Sequence, residues 1–260
     1  PPMRAPLRSA DSPREGVGVV SNPITFLGAS LLAWWTADRA DLITLSGAAV
    51  TSWKDVTNGY DALQGVSASR PTYSATGFSG APGVTSDGID DELTCTDAGL
   101  LAALPVGASP SELWAIVQQD AIGTDATVRS ILSYGDTSAN LQRNLRRLNP
   151  GNVNRGAITI GTGAGNTSAI NTGVDMSSRH LLRGEVLATT GAASVDGTTM
   201  TPGAAVPATA AAARVRLFGS ASAAASSFWN GKARDFLITL PLTAGQVTAL
   251  EAWALPRRML

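Results

Sequence analysis

One cysteine, one histidine and two lysines are all that 260 residues supply of these types. Cys95 has no partner in its own chain, so no internal disulfide can form and an apolar core must hold the fold. His180 alone excludes a metal centre built on several histidines. Charged residues make up 15% of the chain, against about 25% in ordinary globular proteins. The surface must therefore be covered largely by Ser, Thr, Asn, Gly and Ala, which favours packed, neutral neighbours. The net charge is −1 and like charges do not form blocks, so neither a nucleic-acid stripe nor a polybasic membrane patch is indicated. No run reaches the ~18–20 apolar residues of a membrane span. The Ala-rich stretch 203–213 is too short and contains Pro207. Arg4, Arg8, Arg14 and Glu15 interrupt the opening residues, which lack the apolar core of a signal peptide. Classical secretion is not expected.

What is present reads as two parts. Residues 1–25 are expected to form an extended N-terminal arm. Its first 22 residues carry Pro1, Pro2, Pro6 and Pro13, scattered arginines and no hydrophobic period. Arg4, Arg8 and Arg14 are the candidate anchoring residues of this arm, reaching acidic groups on another chain. Residues 26–260 are expected to form one domain. From Ile24 onward, short apolar or alternating runs are separated by turn residues, the pattern of an all-β sandwich or barrel. The clearest strands are 30–35, 49–53, 112–117, 128–134, 157–160, 180–187, 214–218 and 233–240. Asp196-Gly197 is the strongest hairpin signal, because both residues tolerate positive φ. Residues 141–148 fit either a helical face through Leu141, Leu145 and Leu148, or an edge strand or loop. One helix is clear: Thr243 and Gln246 make a capping box ahead of Val247, Leu250, Trp253 and Ala254. Arg257 and Arg258 suit its C-terminal dipole, and Pro256 is expected to end it.

The order of these local signatures resembles the laminin-G-like domains of the concanavalin A-like lectin/glucanase superfamily, in particular those of bacteriophage and prophage structural proteins. The residues that carry the likeness are Trp34-Trp35-Thr36-Ala37-Asp38, then Val50-Thr51-Ser52-Trp53-Lys54-Asp55 with Asn58-Gly59-Tyr60-Asp61-Ala62. Arg70-Pro71-Thr72-Tyr73 and Asp87-Gly88-Ile89-Asp90-Asp91-Glu92-Leu93 follow. Val195-Asp196-Gly197, then Phe228-Trp229-Asn230-Gly231-Lys232 and the closing helix complete the series. The likeness runs from about Leu27 to Ala254 and lapses between about 135 and 171. It implies a two-sheet antiparallel jelly roll with a short C-terminal helix.

Several constellations invite chemistry. Asp87, Asp90 and Asp91 are either a turn whose carboxylates accept backbone N–H bonds or oxygen ligands for Ca²⁺, as in some laminin-G-like domains. The E-x-D-x-x-E strand motif of the glucanases that share this sandwich is absent, and so is G-x-S-x-G, so no catalytic residue is assigned. Arg143, Arg146, Arg147 and Arg155 are the one basic concentration, either a solvated face or a site for an anionic glycan or acidic neighbour. Trp229 either stacks a sugar ring or packs beneath the closing strand. Trp34, Trp53 and Trp114 lie in apolar runs and are expected in the core.

The resulting expectation is a non-enzymatic virion protein of a bacteriophage, on its surface, fibre or tail. The arm would bind other virion proteins or copies of itself, and no cofactor is required. The alternative is a carbohydrate-binding adhesion module that meets host-surface glycan. A glycan-cleaving enzyme is the third reading.

Overall fold

The computed structural model describes residues 22–120, 128–136, 141–148, 155–162, 166–170, 176–198, 202–204, 207, 211–221 and 227–259. The arm residues Arg4, Arg8 and Arg14 lie outside these. In chain order the elements are α1 (Pro23–Leu27), β1 (Leu31–Thr36), β2 (Ile43–Ser46), β3 (Ala49–Lys54), β4 (Asp61–Leu63), β5 (Thr72–Phe78), β6 (Ala81–Asp87), β7 (Leu93–Cys95) and α2 (Ala98–Ala103). Then come β8 (Ser111–Gln119), β9 (Arg129–Gly135), β10 (Gln142–Leu148), β11 (Arg155–Gly161), β12 (Asn166–Ile170), β13 (Arg179–Val186), β14 (Thr190–Val195), β15 (Gly203–Ala204), β16 (Arg214–Leu217), β17 (Asn230–Thr239) and α3 (Ala244–Met259). Among the described residues, no helix is long and apolar enough to cross a membrane.

Every ladder between these strands is antiparallel, and the ladders form two facing layers. The back layer runs β15–β14–β13–β8–β17. Beyond β17 lies β6 along residues 230–233 and β1 along residues 235–239, with β5 outside β6. The front layer runs β12–β11–β10–β9–β16–β7–β4–β3–β2. The single pairing of Ala49 with Thr72 joins the layers.

The side-chain period of two sends alternate residues of each strand into the gap. Trp35, Leu113, Ala115, Val117, Leu182, Phe236 and Ile238 enter from the back layer. Trp53, Leu93, Leu132, Leu145, Ile158, Val215 and Leu217 meet them from the front. Close approach requires glycine at Gly184, where a Cβ would stand 2.8 Å from Ile158 Cδ1.

The back layer is buried on its other face as well. Trp34, Trp114, Ile116, Leu181 and Leu237 pack there against Leu27, Leu31, Leu250, Trp253 and Ala254, which belong to α1, α3 and the start of β1. This double burial explains why Leu31–Trp35 and Leu113–Val117 are continuous apolar runs rather than alternating ones. It also accounts for two adjacent tryptophans: Trp35 enters the main core and Trp34 the second.

The helix begins as its capping box requires, with Gln246 N donating to Thr243 Oγ1 at 3.3 Å and Thr243 N donating to Gln246 Oε1 at 3.0 Å. Pro256 does not end it; the helix continues to Met259. A proline removes one N–H bond, but here Arg257 reaches back to Asp235 on β17 and holds the last turn down. The arm boundary also moves. Asn22 caps α1, and Gln246 Nε2 donates to Phe26 O and Leu27 O, so residues 23–25 belong to the folded unit.

Residues 142–148 are a strand, β10, inside the front layer between β9 and β11. The Asp196-Gly197 turn has φ of 55° and 78°, and Thr198 N donates to Val195 O at 3.0 Å.

Candidate functional site

The outward face of the front layer carries a polar row that crosses five strands. Ser168 of β12 pairs with Thr159 of β11, Thr159 with Asn144 of β10, Asn144 with Ser133 of β9, and Ser133 with Arg216 of β16. Directly paired residues share a face, so these five side chains lie side by side. Gln142 and Arg146 flank Asn144 on the same face of β10. After Leu217 the chain turns with Phe218 at φ 65° and crosses this face. Ser133 Oγ donates to Gly219 O at 2.8 Å, Ser220 Oγ to Gln142 Oε1 at 2.8 Å, and Arg216 Nη1 to Ser220 O at 2.6 Å.

The hydrogen bonding of the row is incomplete at its middle. Thr159 Oγ1 and Ser168 Oγ lie 2.7 Å apart, Arg146 Nη2 donates to Ser168 Oγ at 3.1 Å, and Asn144 Nδ2 donates to Ser130 Oγ at 2.9 Å. Asn144 Oδ1 and Arg146 Nε are buried and accept or donate nothing. Buried polar atoms in native proteins are nearly always paired, so these two leave hydrogen-bonding capacity for a water or a ligand. Burial pushes the Arg146 guanidinium down to about 10, with no anion opposing it. Arg216 is different: burial lowers it, but the Glu92 carboxylate 3.0 Å from its Nε acts in the other direction.

The basic concentration seen in the sequence is divided by the pleat. Arg146 points outward. Arg143 and Arg147 point inward and are fully buried. Arg143 donates to Ser111 Oγ, Gly107 O and Ser109 O and lies over the Tyr134 ring, so it closes one end of the sandwich rather than offering a surface. Arg155 opens β11, and its side chain lies outside the described residues. Trp229 is fully buried in the main core and presents no ring face for a sugar to stack on. Asn144, Thr159, Ser133 and Ser168 were not singled out in the sequence. Their signal was present in the alternation of Gln142, Asn144 and Arg146, but it counts only once residues 142–148 are known to be a strand.

The acidic cluster is a turn with a spare capability. Asp87 Oδ1 accepts from Ile89 N at 2.8 Å, Asp91 Oδ2 from Asp87 N at 3.0 Å, and Asp90 Oδ2 from Ser69 Oγ at 2.8 Å. One oxygen from each of the three carboxylates lies within 4.8 Å of the others, close enough to ligate a hard cation such as Ca²⁺. Burial, and then the Asp87 and Asp90 charges, push Asp91 up to about 6 against the hydrogen bond from Asp87 N. His180 Nδ1 lies 2.7 Å from Asp196 Oδ2, and Asp196 also takes Leu181 N and the Arg258 guanidinium. A separate cleft of about 210 Å³ lies between the β13–β14 hairpin and α3, lined by Arg183, Glu185, Ser194, Thr198 and Glu251 among others.

No protein-family model matches the chain, and no curated protein sequence matches it. Solved structures do. A Trypanosoma rangeli sialidase in complex with 2,3-difluoro-KDN aligns over 88% of this chain at TM-score 0.58 and 13% identity. The chain spans only 33% of that sialidase. Domain 4 of AbnA, a GH43 extracellular arabinanase from Geobacillus stearothermophilus, in complex with arabinotriose, aligns over 86% of this chain and 98% of its own length, at TM-score 0.56 and 16% identity. The Ruminococcus gnavus IT-sialidase CBM40 bound to α2,3-sialyllactose covers 65% of this chain and 95% of its own length, at TM-score 0.52 and 11% identity. The chain is thus an antiparallel β-sandwich with a C-terminal helix, of the kind shared by carbohydrate-binding domains and part of a sialidase.

Proposed function

We propose that this chain is a carbohydrate-binding β-sandwich module whose ligand lies on the outward face of the front layer. The observation that carries the reading is the row Ser168–Thr159–Asn144–Ser133–Arg216, with its unmet Asn144 acceptor. Hydroxyls, an amide and a guanidinium on a rigid sheet are the groups that hydrogen-bond sugar hydroxyls, and strands hold them more firmly than loops do. Similar sandwiches, matched over nearly their whole length, are found in complex with arabinotriose or sialyllactose, which supports the reading. A virion component remains compatible with it. The arm that would anchor such a component lies outside the described residues, so the carbohydrate reading stands first.

The test is calorimetric titration of the purified chain with a panel that includes arabinotriose, lactose, sialyllactose and trigalacturonate. Binding of at least one saccharide is expected, and Asn144→Ala should weaken it about ten-fold or more, the effect of one lost hydrogen bond in a desolvated site. A folded protein that binds no saccharide, or an Asn144→Ala variant that binds as tightly as the wild type, overturns the reading.

A further inference from the structure

We infer that the sugar on this face is an acidic one, with its carboxylate on Arg146 and a neighbouring hydroxyl on Asn144. This rests on the carbohydrate-binding reading above and narrows it to a ligand class. Arg146 stands on the outward face of β10 with its Nε buried and unmet, and its Nη2 is given to a neutral hydroxyl, Ser168 Oγ, at 3.1 Å. A desolvated guanidinium is costly unless an anion meets it. The second deeply set guanidinium on this face already has one, because Glu92 lies 3.0 Å from Arg216 Nε. Arg146 is paired with Ser130 of β9 and Ala157 of β11 across the ladders, and neither carries charge.

Asn144 sets the second requirement. It lies two residues before Arg146 on the same face, about 7 Å along the strand. Its Nδ2 is used by Ser130 Oγ, and its buried Oδ1 accepts nothing. The ligand must therefore offer an anion at one end and a hydrogen-bond donor at the other. A neutral sugar leaves the guanidinium charge unmet. A simple carboxylate such as acetate leaves Asn144 unmet. A sugar acid supplies both groups from one ring, and the planar guanidinium takes a carboxylate in a directed way that an ammonium does not. Thr159 Oγ1 and Ser168 Oγ, 2.7 Å apart in the same row, keep acceptor capacity for a further ring hydroxyl.

Two natural sources carry this chemistry, uronic acid polymers and sialylated glycans, and the experiment separates them. Affinities are measured for trigalacturonate and its methyl ester, and for sialyllactose and its methyl ester, on the wild type, Arg146→Gln and Arg146→Lys. Melting temperatures check that each variant is folded. One of the acids should bind about ten-fold or more tighter than its uncharged counterpart, the scale of a charge-assisted hydrogen bond. That preference should shrink as salt rises. Arg146→Gln should erase the preference for the acid over its uncharged form, and Arg146→Lys should restore part of it. Equal binding of acid and ester by the wild type overturns the acidic-ligand inference and leaves the carbohydrate reading intact. A preference that survives in a folded Arg146→Gln variant overturns the role of Arg146. If the folded wild type binds none of these saccharides, nor arabinotriose, both readings fail together. Should Arg146→Gln not fold, the acid-against-ester comparison on the wild type still decides the ligand class.

Discussion

Arg257 on α3 grips Asp235 on β17 at two points, Nε to Oδ2 at 3.0 Å and Nη2 to Oδ1 at 3.1 Å. Asp235 is fully buried and also accepts from Trp34 Nε1 at 3.0 Å. Arg257 lies over the Trp253 ring at 4.3 Å and meets Asp38 as well. One ion pair thus ties the helix, the longest strand and the first strand together on the back of the sandwich.

Asp235→Ala removes the acceptor and leaves the Arg257 guanidinium and the Trp34 N–H without it. Removing one partner of a buried pair costs about 3–5 kcal/mol, and urea unfolding should show a loss of that order. A loss under about 1 kcal/mol would mean that apolar packing alone seats the helix.

Trp53 fills the main core with its ring 5.9 Å from that of Phe236, edge to face, and its Nε1 donates to Thr36 O at 3.3 Å. Trp53→Ala should cost about 3–5 kcal/mol through lost burial and the cavity left behind. A double-mutant cycle with Phe236→Ala should give a coupling of about 0.5–1.5 kcal/mol for the ring pair. Additive single effects would deny the contact.

The sheets approach closely at Gly184, where Ile158 of the opposite layer occupies the space of a side chain. Gly184→Val should therefore destabilise by about 1–3 kcal/mol by overpacking. Ile158→Ala, harmful alone, should recover part of that loss in the double variant. Thermal melts of the three proteins measure this, and a double variant that merely sums the two losses would refute the steric account.

Asp91 makes stability depend on pH with a definite sign. Its carboxyl titrates at about 6 in the fold, above its ordinary value of 3.8, chiefly because it is buried. The folded state therefore favours the protonated form. The contribution is fully present below about pH 3.8 and is lost as pH rises through about 6. Asp91→Asn should flatten the stability profile across that window and gain up to about 2 kcal/mol at pH 7. Millimolar Ca²⁺ should leave the wild-type melting temperature unchanged if the cluster acts as a turn. A rise present in the wild type and absent in Asp91→Asn would instead make it a cation site.

Much of the architecture was legible without coordinates because its signals are local. The Asp196-Gly197 turn needs only two residues that accept positive φ. The Thr243–Gln246 box needs only a hydroxyl and an amide three residues apart. Asp55 closes its own loop, accepting Thr57 N, Asn58 N and Tyr60 N. The short helix α2 was missed, although Asp97 caps it through Gly99 N and Leu100 N, because six residues of Ala, Gly and Leu carry little period.

The candidate site was not legible, and β10 shows why. Gln142 to Leu148 places polar and apolar side chains so that Leu145 and Leu148 suit a helix as well as a strand. Only pairing with β9 and β11 settles the period, and with it which of three arginines faces out. Parity then separates Arg146 from Arg143 and Arg147, and places Asn144 beside Thr159 and Ser133, residues far from it in the chain. The sequence by itself determined strands, turns, the helix start and the sandwich class, since each follows from contacts within a few residues or from a simple period. Tertiary structure decided the exposure of Trp229, the persistence of α3 past Pro256 and the make-up of the polar row. Each of these depends on which distant backbone lies alongside, and no local preference encodes that.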